Sequence, residues 1–180
     1  MEHALERIVD SVGAQTSPAI GVIDEDAFHA LYHRTAAPLR AYAARILGNV
    51  TLVDDIVQEA YLRILRAPMP SDDPQHVRAY LFRIASNLIT DHFRRRKREM
   101  SFGDLPERAA AAVDPVSQID MARVFQRLRP RDRQLLWLAH VEGADHREVA
   151  KALGLGERSV RVLLFRARQK LAKFIRESQR

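Results

Sequence analysis

The segment at residues 145–171, DHREVAKALGLGERSVRVLLFRARQKL, carries the clearest fold signal in this chain. It opens with Asp145 and Glu148 at the spacing of a capping box, in which two side chains satisfy free amide groups at a helix start. A short apolar face follows, and the turn Gly154-Leu155-Gly156 leads into a second helix from Glu157. The pattern predicts a short helix, a glycine turn and a longer basic helix, which together form a helix-turn-helix.

The second helix of this motif has two different faces. Four apolar residues fall within about 40° of one line at 100° per residue, and they predict its buried stripe: Val160, Leu164, Ala167 and Leu171. Such a helix reads the DNA major groove, where Arg contacts guanine edges or phosphates and Phe meets a thymine methyl. The alternative is that Phe165 packs on another domain and the arginines only solubilise the helix. The predicted DNA-reading residues are Arg158, Arg161, Phe165, Arg166 and Gln169.

The rest of the chain is predicted to be all-α, because apolar residues recur at helical spacing and no strict alternation is long enough for a strand. An extra helix around residues 128–138 completes a four-helix DNA-binding domain. Residues 100–118 hold two prolines and no usable periodicity, which predicts a flexible linker between two small helical domains. The expected parts are an N-terminal arm at 1–24, a first domain at 25–99, the linker at 100–118 and a second domain at 119–180.

Composition excludes several classes of protein. The 180 residues contain no cysteine, which excludes disulfides, thiolate catalysis and cysteine-bound metals. No apolar run approaches the roughly 20 residues that span a bilayer, and the N-terminus lacks the pattern of a signal peptide. A cytoplasmic protein without direct membrane insertion is therefore expected.

Charge alternates in sign along the chain. Residues 1–77 carry 6 basic and 11 acidic side chains, whereas residues 78–98 carry 7 and 1. Residues 99–122 then carry 1 and 5, and residues 123–176 carry 14 and 5. Two basic blocks suit a protein that contacts a polyanion at two places, because Lys and Arg contacts to phosphates supply most non-specific nucleic-acid affinity. On charge alone, solvated helix faces explain the alternation equally well.

The first basic block lies on a predicted helix with a polar ridge. The ridge consists of Arg83 and, at offsets of 4, 7 and 11 residues, Asn87, Thr90 and Arg94, so it can donate to phosphates and, through Asn87, hydrogen-bond a base edge. The cationic run RRRKR at 94–98 extends this surface. Nearby aromatic residues add the option of stacking on unpaired bases. The alternative is a generic anion patch or a solvated helix end.

The helix before it, LVDDIVQEAYLRILR at 52–66, carries an acidic outer face. Its outward residues are Asp55, Gln58, Glu59 and Leu62. One apolar anchor among carboxylates is typical of a docking face for a basic partner helix. An ordinary solvated face is the alternative.

An enzyme is not expected. His29 and His33 have metal-ligand spacing on a helix, with Glu25 a turn earlier, but no third distant ligand or HExxH motif supports a metal site. The sequence also contains no Gly-rich phosphate loop, nucleophile elbow or clustered carboxylate pair. Neither a cofactor nor a metal is predicted.

Taken in chain order, these pieces resemble a bacterial RNA polymerase sigma factor of the extracytoplasmic-function type, over roughly residues 26–175. VDDIVQEAYLRIL is similar to the region-two helix that grips the clamp helices of the polymerase largest subunit, which implies docking by Asp54, Asp55, Gln58 and Glu59, beside Leu62. VRAYLFRIASNLITDHFRRRKR is similar to the melting and minus-ten-reading segment, which implies contacts from Arg83, Asn87, Asp91, Arg94 and Arg95. LRPRDRQLLWLAHVEGADHREVAKALGLGERSVRVLLFRARQKL resembles region four, which binds the minus-thirty-five element.

The resemblance implies an alternative sigma factor that binds core RNA polymerase, directs it to specific promoters and melts promoter DNA, under control of an anti-sigma factor. Gly156 stands where the family usually has a serine helix cap, and Val162 and Leu163 stand where polar or basic residues are usual. Two other functions stay open. One is a sigma-like decoy or partner-switch protein that binds an anti-sigma factor, and the other is a plain helix-turn-helix regulator.

Overall fold

The computed structural model describes residues 23–69, 71–100 and 121–179. Within those ranges the chain forms seven helices and no β-strand, which confirms the all-α prediction. Most of the predicted arm and linker lies outside the described residues. The helices are α1 (Glu25–Leu47), α2 (Val50–Arg66), α3 (Pro74–Met100), α4 (Met121–Gln126), α5 (Pro130–His140), α6 (His146–Leu153) and α7 (Glu157–Ser178).

The boundaries of α1 and α2 are set by local caps. The Asp24 side chain accepts a hydrogen bond of 2.8 Å from the amide of Ala27, so α1 begins before the first apolar residue that periodicity detects. Gly48 ends α1 at a φ of 67°, a left-handed conformation that favours glycine. Asn49 then caps α2 by accepting from the amide of Thr51 at 3.0 Å. The pair Gly48-Asn49 in the sequence already predicts the end of a helix, and the structure confirms this break.

Helix α3 is longer at both ends than the periodicity of residues 77–93 indicates. In the sequence, Pro68, Pro70 and Pro74 together predict a loop, and for Pro74 this prediction is wrong, since Pro74 is the first residue of α3. Proline suits that position because its fixed φ matches the helix and its missing amide has no partner to lose there. At the other end the helix continues to Met100, because Arg and Lys are good helix formers that can stay solvated.

The second half of the chain contains the predicted helix-turn-helix. Asp145 and Glu148 exchange side-chain and backbone hydrogen bonds of 2.8 Å, so the capping box is present. Gly154 ends α6 at a φ of 61°. Along α7, Val160, Leu164 and Ala167 are buried and Leu171 is partly buried against the core, as the stripe predicts.

The two halves, α1–α3 and α4–α7, pack against each other and share one apolar core. Helices α1 and α3 supply one side of this contact, and α4, α5 and α6 supply the other. Tyr42 of α1 lies 6.5 Å from Trp137 of α5, measured between ring centroids. The amide side chain of Gln126 also donates to the backbone oxygen of Arg45 at 2.7 Å. Helical periodicity gives no information about this packing.

Candidate polymerase and nucleic-acid interfaces

The face of α7 opposite its buried stripe is open to solvent. Helices α5 and α6 cover Val160 and Leu164, and this leaves Phe165 58% exposed and Val162 49% exposed. The packed alternative for Phe165 is therefore not seen in the described part of the chain. All five predicted DNA-reading residues of α7 are exposed: Arg158, Arg161, Phe165, Arg166 and Gln169.

Cations on α7 divide into two groups by their partners. Lys170 pairs with Asp132 at 2.7 Å, and Lys173 pairs with Glu177 at 3.8 Å. Within the described residues, by contrast, no carboxylate pairs with Arg158, Arg161 or Arg166. Guanidinium groups without a carboxylate partner keep their full capacity to bind phosphate or a guanine edge.

The polar ridge on α3 is narrower than the exposed face of α7. Arg83 and Asn87 are exposed, and the Arg83 guanidinium lies over the Tyr80 ring at 4.8 Å from the ring centroid. This contact holds an aromatic ring next to a phosphate-binding group. Asp91, a half-buried residue of the predicted minus-ten set, faces Arg94 across 3.5 Å. That pair is solvated enough for Arg94 to exchange it for a phosphate.

The cationic end of α3 also affects the pKa of His92, which lies within it. Burial lowers the pKa of His92, and the nearby guanidinium groups of Arg96 and Arg95 lower it further. His92 therefore stays neutral at neutral pH, and the positive charge here comes from arginine and lysine alone. Arg94 and Arg95 are exposed, as a role in binding phosphates requires.

The predicted docking residues share one side of α2. Asp54, Asp55 and Gln58 are exposed, while Glu59 and Leu62 are half-buried. Three of these residues also have neighbours that affect how available they are to a partner. Arg40 of α1 binds Asp54, Arg63 donates to Glu59 at 2.7 Å, and Leu62 lines a groove shared with α1. Asp55 has no ion-pair partner in the described part of the chain, so it is the carboxylate most available to a basic partner.

Sequence reasoning missed the contribution of α1 to this surface. An open groove of about 350 Å³ runs between α1 and α2, and Phe28, Tyr32 and Tyr61 form its aromatic part. Tyr61 is fixed by a hydrogen bond of 2.7 Å to Thr35, and burial raises its pKa. Tyr32 is 46% exposed, which leaves an aromatic surface beside the acidic face. The spacing of Phe28 and Tyr32 at i and i+4 is the signal that could have shown it.

The histidine pair on α1 and the polarity of the helices bear on metal binding and on membrane insertion. The rings of His29 and His33 lie 5.5 Å apart, but no cluster of three potential metal ligands occurs among the described residues. None of the helices described here is both long and apolar enough to cross a membrane.

This two-part helical architecture, with a helix-turn-helix in its second half, is shared with a known family. Residues 31–99 match the family profile described as sigma-70 region 2, and residues 119–171 match sigma-70 region 4. The chain is 33% identical to the RNA polymerase sigma factor CnrH of Cupriavidus metallidurans over 166 residues, which cover 83% of this chain and 86% of CnrH. The chain therefore belongs to the sigma-70 family of RNA polymerase sigma factors.

Other relatives agree with this assignment. The probable extracytoplasmic-function sigma factor SigI of Mycobacterium tuberculosis is 29% identical over 150 residues, and the match covers 73% of this chain but only 51% of SigI. The solved structure of CnrH in complex with the cytosolic domain of CnrY has a TM-score of 0.60 at 30% identity, covering 86% of this chain and 90% of CnrH. The sigma factor RpoE of Bartonella quintana, solved with the anti-sigma factor NepR, has the same fold, with a TM-score of 0.69 at 21% identity and coverage of 83% and 96%.

Proposed function

We propose that this protein is an alternative sigma factor that binds core RNA polymerase, directs it to specific promoters and assists promoter melting. The observation that carries the proposal is the exposed face of α7 with Arg158, Arg161 and Arg166, none of which has a carboxylate partner among the described residues. This face lies within the region-four match. The acidic face of α2 and the polar ridge of α3 both lie within the region-two match. Each of the three faces thus lies within the matched region to which the resemblance assigns its role, and this supports the proposal.

In this proposal α7 reads the minus-thirty-five element as duplex DNA. A helix fits the major groove, where base edges carry a unique pattern of donors, acceptors and methyl groups. Arg161 and Arg166 supply donors for guanine edges or phosphates, and the exposed Phe165 ring supplies an apolar contact for a thymine methyl. Arg158 and Gln169 extend the same face at its two ends.

Helix α3 has a different task, because melting requires bases to leave the stack. Unstacking costs a few kcal/mol per step and needs compensating contacts in the opened state. Arg83 and Asn87 offer donors, and Tyr80 beside Arg83 offers an aromatic face for an unpaired base. Asp91, Arg94 and Arg95 continue this surface toward the cationic end of the helix.

Helix α2 is the proposed polymerase contact, through Asp54, Asp55, Gln58, Glu59 and Leu62. Its charge is opposite to that of the other two faces, so it repels DNA and suits a basic protein surface. The phosphoryl-transfer chemistry of transcription belongs to the polymerase in this scheme, and the sigma factor itself is not an enzyme. We place it in the cytoplasm, where polymerase and promoter DNA are found.

Regulation by an anti-sigma factor is part of the same proposal. It is supported by the similarity to CnrH and RpoE, which were solved as complexes with CnrY and with the anti-sigma factor NepR. The chain has no cysteine, so it has no thiol with which to sense redox state itself. In this proposal, control therefore comes from a partner protein.

The docking assignment is tested with Asp55→Arg and a matched control, Asp72→Arg. Both residues are exposed carboxylates, but Asp72 lies in the loop before α3, away from the α2 face. We expect Asp55→Arg to lose core polymerase in a pull-down while keeping isolated duplex binding, and Asp72→Arg to keep both. Retained polymerase binding by Asp55→Arg would reject the docking face.

A second experiment separates an initiator from a decoy. The double variant Arg83→Ala with Asn87→Ala is expected to bind core polymerase normally but to fail in transcription from linear promoter DNA. A decoy or partner-switch protein would tolerate the same change, because it never contacts opened DNA. A plain helix-turn-helix regulator would instead bind its operator without any need for polymerase.

A further inference from the structure

The exposed face of α7 has an apolar centre. Val162 is 49% exposed and Phe165 is 58% exposed, and the two residues lie one turn apart on the helix. Arg158 lies one turn before Val162, and Arg166 lies one turn after it, so guanidinium groups stand on both sides of the valine. The centre of this face is therefore apolar and its border is cationic.

Val162 lies outside the packed stripe of α7. Two residues at about 100° each place it on the far side of the helix from the fully buried Val160. The neighbouring Leu163, by contrast, is partly buried against the core. A β-branched side chain also lowers helix propensity, because it loses χ1 freedom against the preceding turn. Neither core packing nor helix preference therefore explains a valine at this position, and a contact with a ligand would.

The charge around Val162 restricts the kind of ligand. Arg158, Arg161 and Arg166 are exposed, and no carboxylate pairs with them in the described part of the chain. Uncompensated cations of this kind attract a polyanion and repel a basic protein surface. The ligand that fits is one with an apolar group between phosphates, which describes the major groove of duplex DNA at a thymine.

An isopropyl group distinguishes among base edges in the major groove. Most edge atoms there are hydrogen-bond donors or acceptors, whereas thymine also presents its C5 methyl group. A valine pressed against a polar edge displaces water without replacing the lost hydrogen bonds. Against a thymine methyl, the same valine removes apolar surface of both partners from water. Valine in a helix strongly prefers one χ1 rotamer, so turning away from an unsuitable base is costly.

We propose that Val162 is a specificity-determining residue of α7, which selects a thymine in the minus-thirty-five element by contact with its C5 methyl group. The inference rests on the proposed function, in which α7 reads duplex DNA, and it adds a second apolar contact to the one assigned to Phe165. The arginines around Val162 hold the helix on the phosphates and on guanine edges. Val162 itself rejects base pairs that present only polar groups at its position.

The test compares thymine with uracil, which lacks the C5 methyl group. Duplexes that bind the full chain together with core polymerase are first selected from a pool that is randomised over the minus-thirty-five element. Each thymine of the preferred sequence is then replaced by deoxyuridine in turn, and affinity is measured. Loss of one buried methyl contact lowers affinity about fourfold. We expect a loss of this size at the thymine that Val162 contacts.

The variant Val162→Ala removes the protein side of the contact. Alanine is the best helix former, so α7 should stay folded, which thermal denaturation checks. At the contacted thymine, replacement by uracil should now change affinity less than about twofold, because the partner methyl groups are gone. The matched control is Val141→Ala, the same change at a valine after α5 that is 60% exposed. This control should keep the parental loss at every thymine.

A second variant, Val162→Thr, separates apolar character from shape. Threonine keeps the β-branched form of valine but replaces one methyl group by a hydroxyl, so it is not equivalent in an apolar contact. Selection of duplexes with Val162→Thr should therefore give a weaker preference for thymine at the contacted base pair. The rest of the selected sequence should match that of the parental protein.

The outcomes separate this inference from the proposed function. If no preferred duplex is selected by the parental protein with core polymerase, the proposed function is contradicted. If duplexes are selected and uracil replacements act equally on the parental protein and on Val162→Ala, the thymine contact of Val162 is overturned while reading of DNA by α7 stands. Loss of core polymerase by Val162→Ala, with an unchanged uracil profile, would overturn the inference in favour of a protein contact.

Discussion

The two helices that we propose to contact DNA, α3 and α7, differ in how much of their surface the fold leaves free. Helix α7 packs through one stripe, so a broad face with an exposed Phe165 remains open. Helix α3 packs against α1 and α2 on one side and against α5 and α6 on another, which leaves a ridge about one residue wide at Arg83 and Asn87. Helix α7 therefore offers a broad open surface to a DNA duplex, whereas α3 offers an opened strand only a narrow line of side chains.

The largest effect is expected at the boundary between the two faces of α7. Val160 is fully buried and Val162 is 49% exposed, so Val160→Asp and Val162→Asp place the same charge on opposite sides of one helix. Burying an unpaired carboxylate costs about 4 kcal/mol or more, so Val160→Asp should unfold the second half in thermal denaturation. Val162→Asp should fold normally and lose duplex affinity. Equal stability of the two variants would contradict the stripe.

A smaller effect is expected for Arg166→Ala. Loss of a bidentate base contact costs about 1–3 kcal/mol and relaxes specificity at the contacted position. Quantitative binding to a set of duplexes measures this, with Arg168→Ala as the control because Arg168 is exposed on the same helix but outside the predicted reading set. If the profile of preferred sequences does not change, Arg166 does not read bases.

For Arg94→Ala on α3 we expect a uniform loss of affinity instead. A phosphate contact carries no sequence information, so every DNA should weaken alike and the salt dependence should fall by about one unit of slope. Titration of DNA binding at several salt concentrations checks this. A change in sequence preference without a change in slope would assign Arg94 to base reading and remove this distinction between α3 and α7.

The smallest effect concerns the start of α7. Helix α6 has a full capping box, whereas Gly156 caps α7 without a side-chain hydrogen bond. Gly156→Ser adds an acceptor, and its Cβ would meet Ser159 at an ordinary distance of 3.7 Å. We expect a gain of about 0.3 kcal/mol in the free energy of unfolding, measured by denaturant titration, with unchanged DNA binding. A loss of stability would show that the glycine is required there.

Local features of this fold could be predicted from the sequence, and long-range ones could not. The capping box at Asp145, the break at Gly48 and the stripe from Val160 all depend on residues within a turn or two of one another. The contact of Gln134 with Ser86 joins positions 48 apart, and no periodicity encodes it. The same limit hid the groove that Tyr61 forms with α1 and the ion pair of Arg40 with Asp54. The pair of Glu59 with Arg63 is different, because the two residues are one helical turn apart and their spacing indicates it. Residue types alone could not separate the paired cations of α7 from the unpaired ones.

The proposed sigma-factor function is tested most directly by transcription in vitro with core polymerase and this protein, on promoters randomised separately at the two elements. We predict transcription that depends on the added protein and on both elements. Arg166→Ala should change only the preferred upstream element, and the double variant Arg83→Ala with Asn87→Ala should block open-complex formation. Transcription that does not require this protein, or that is insensitive to both elements, would contradict the proposed sigma-factor function.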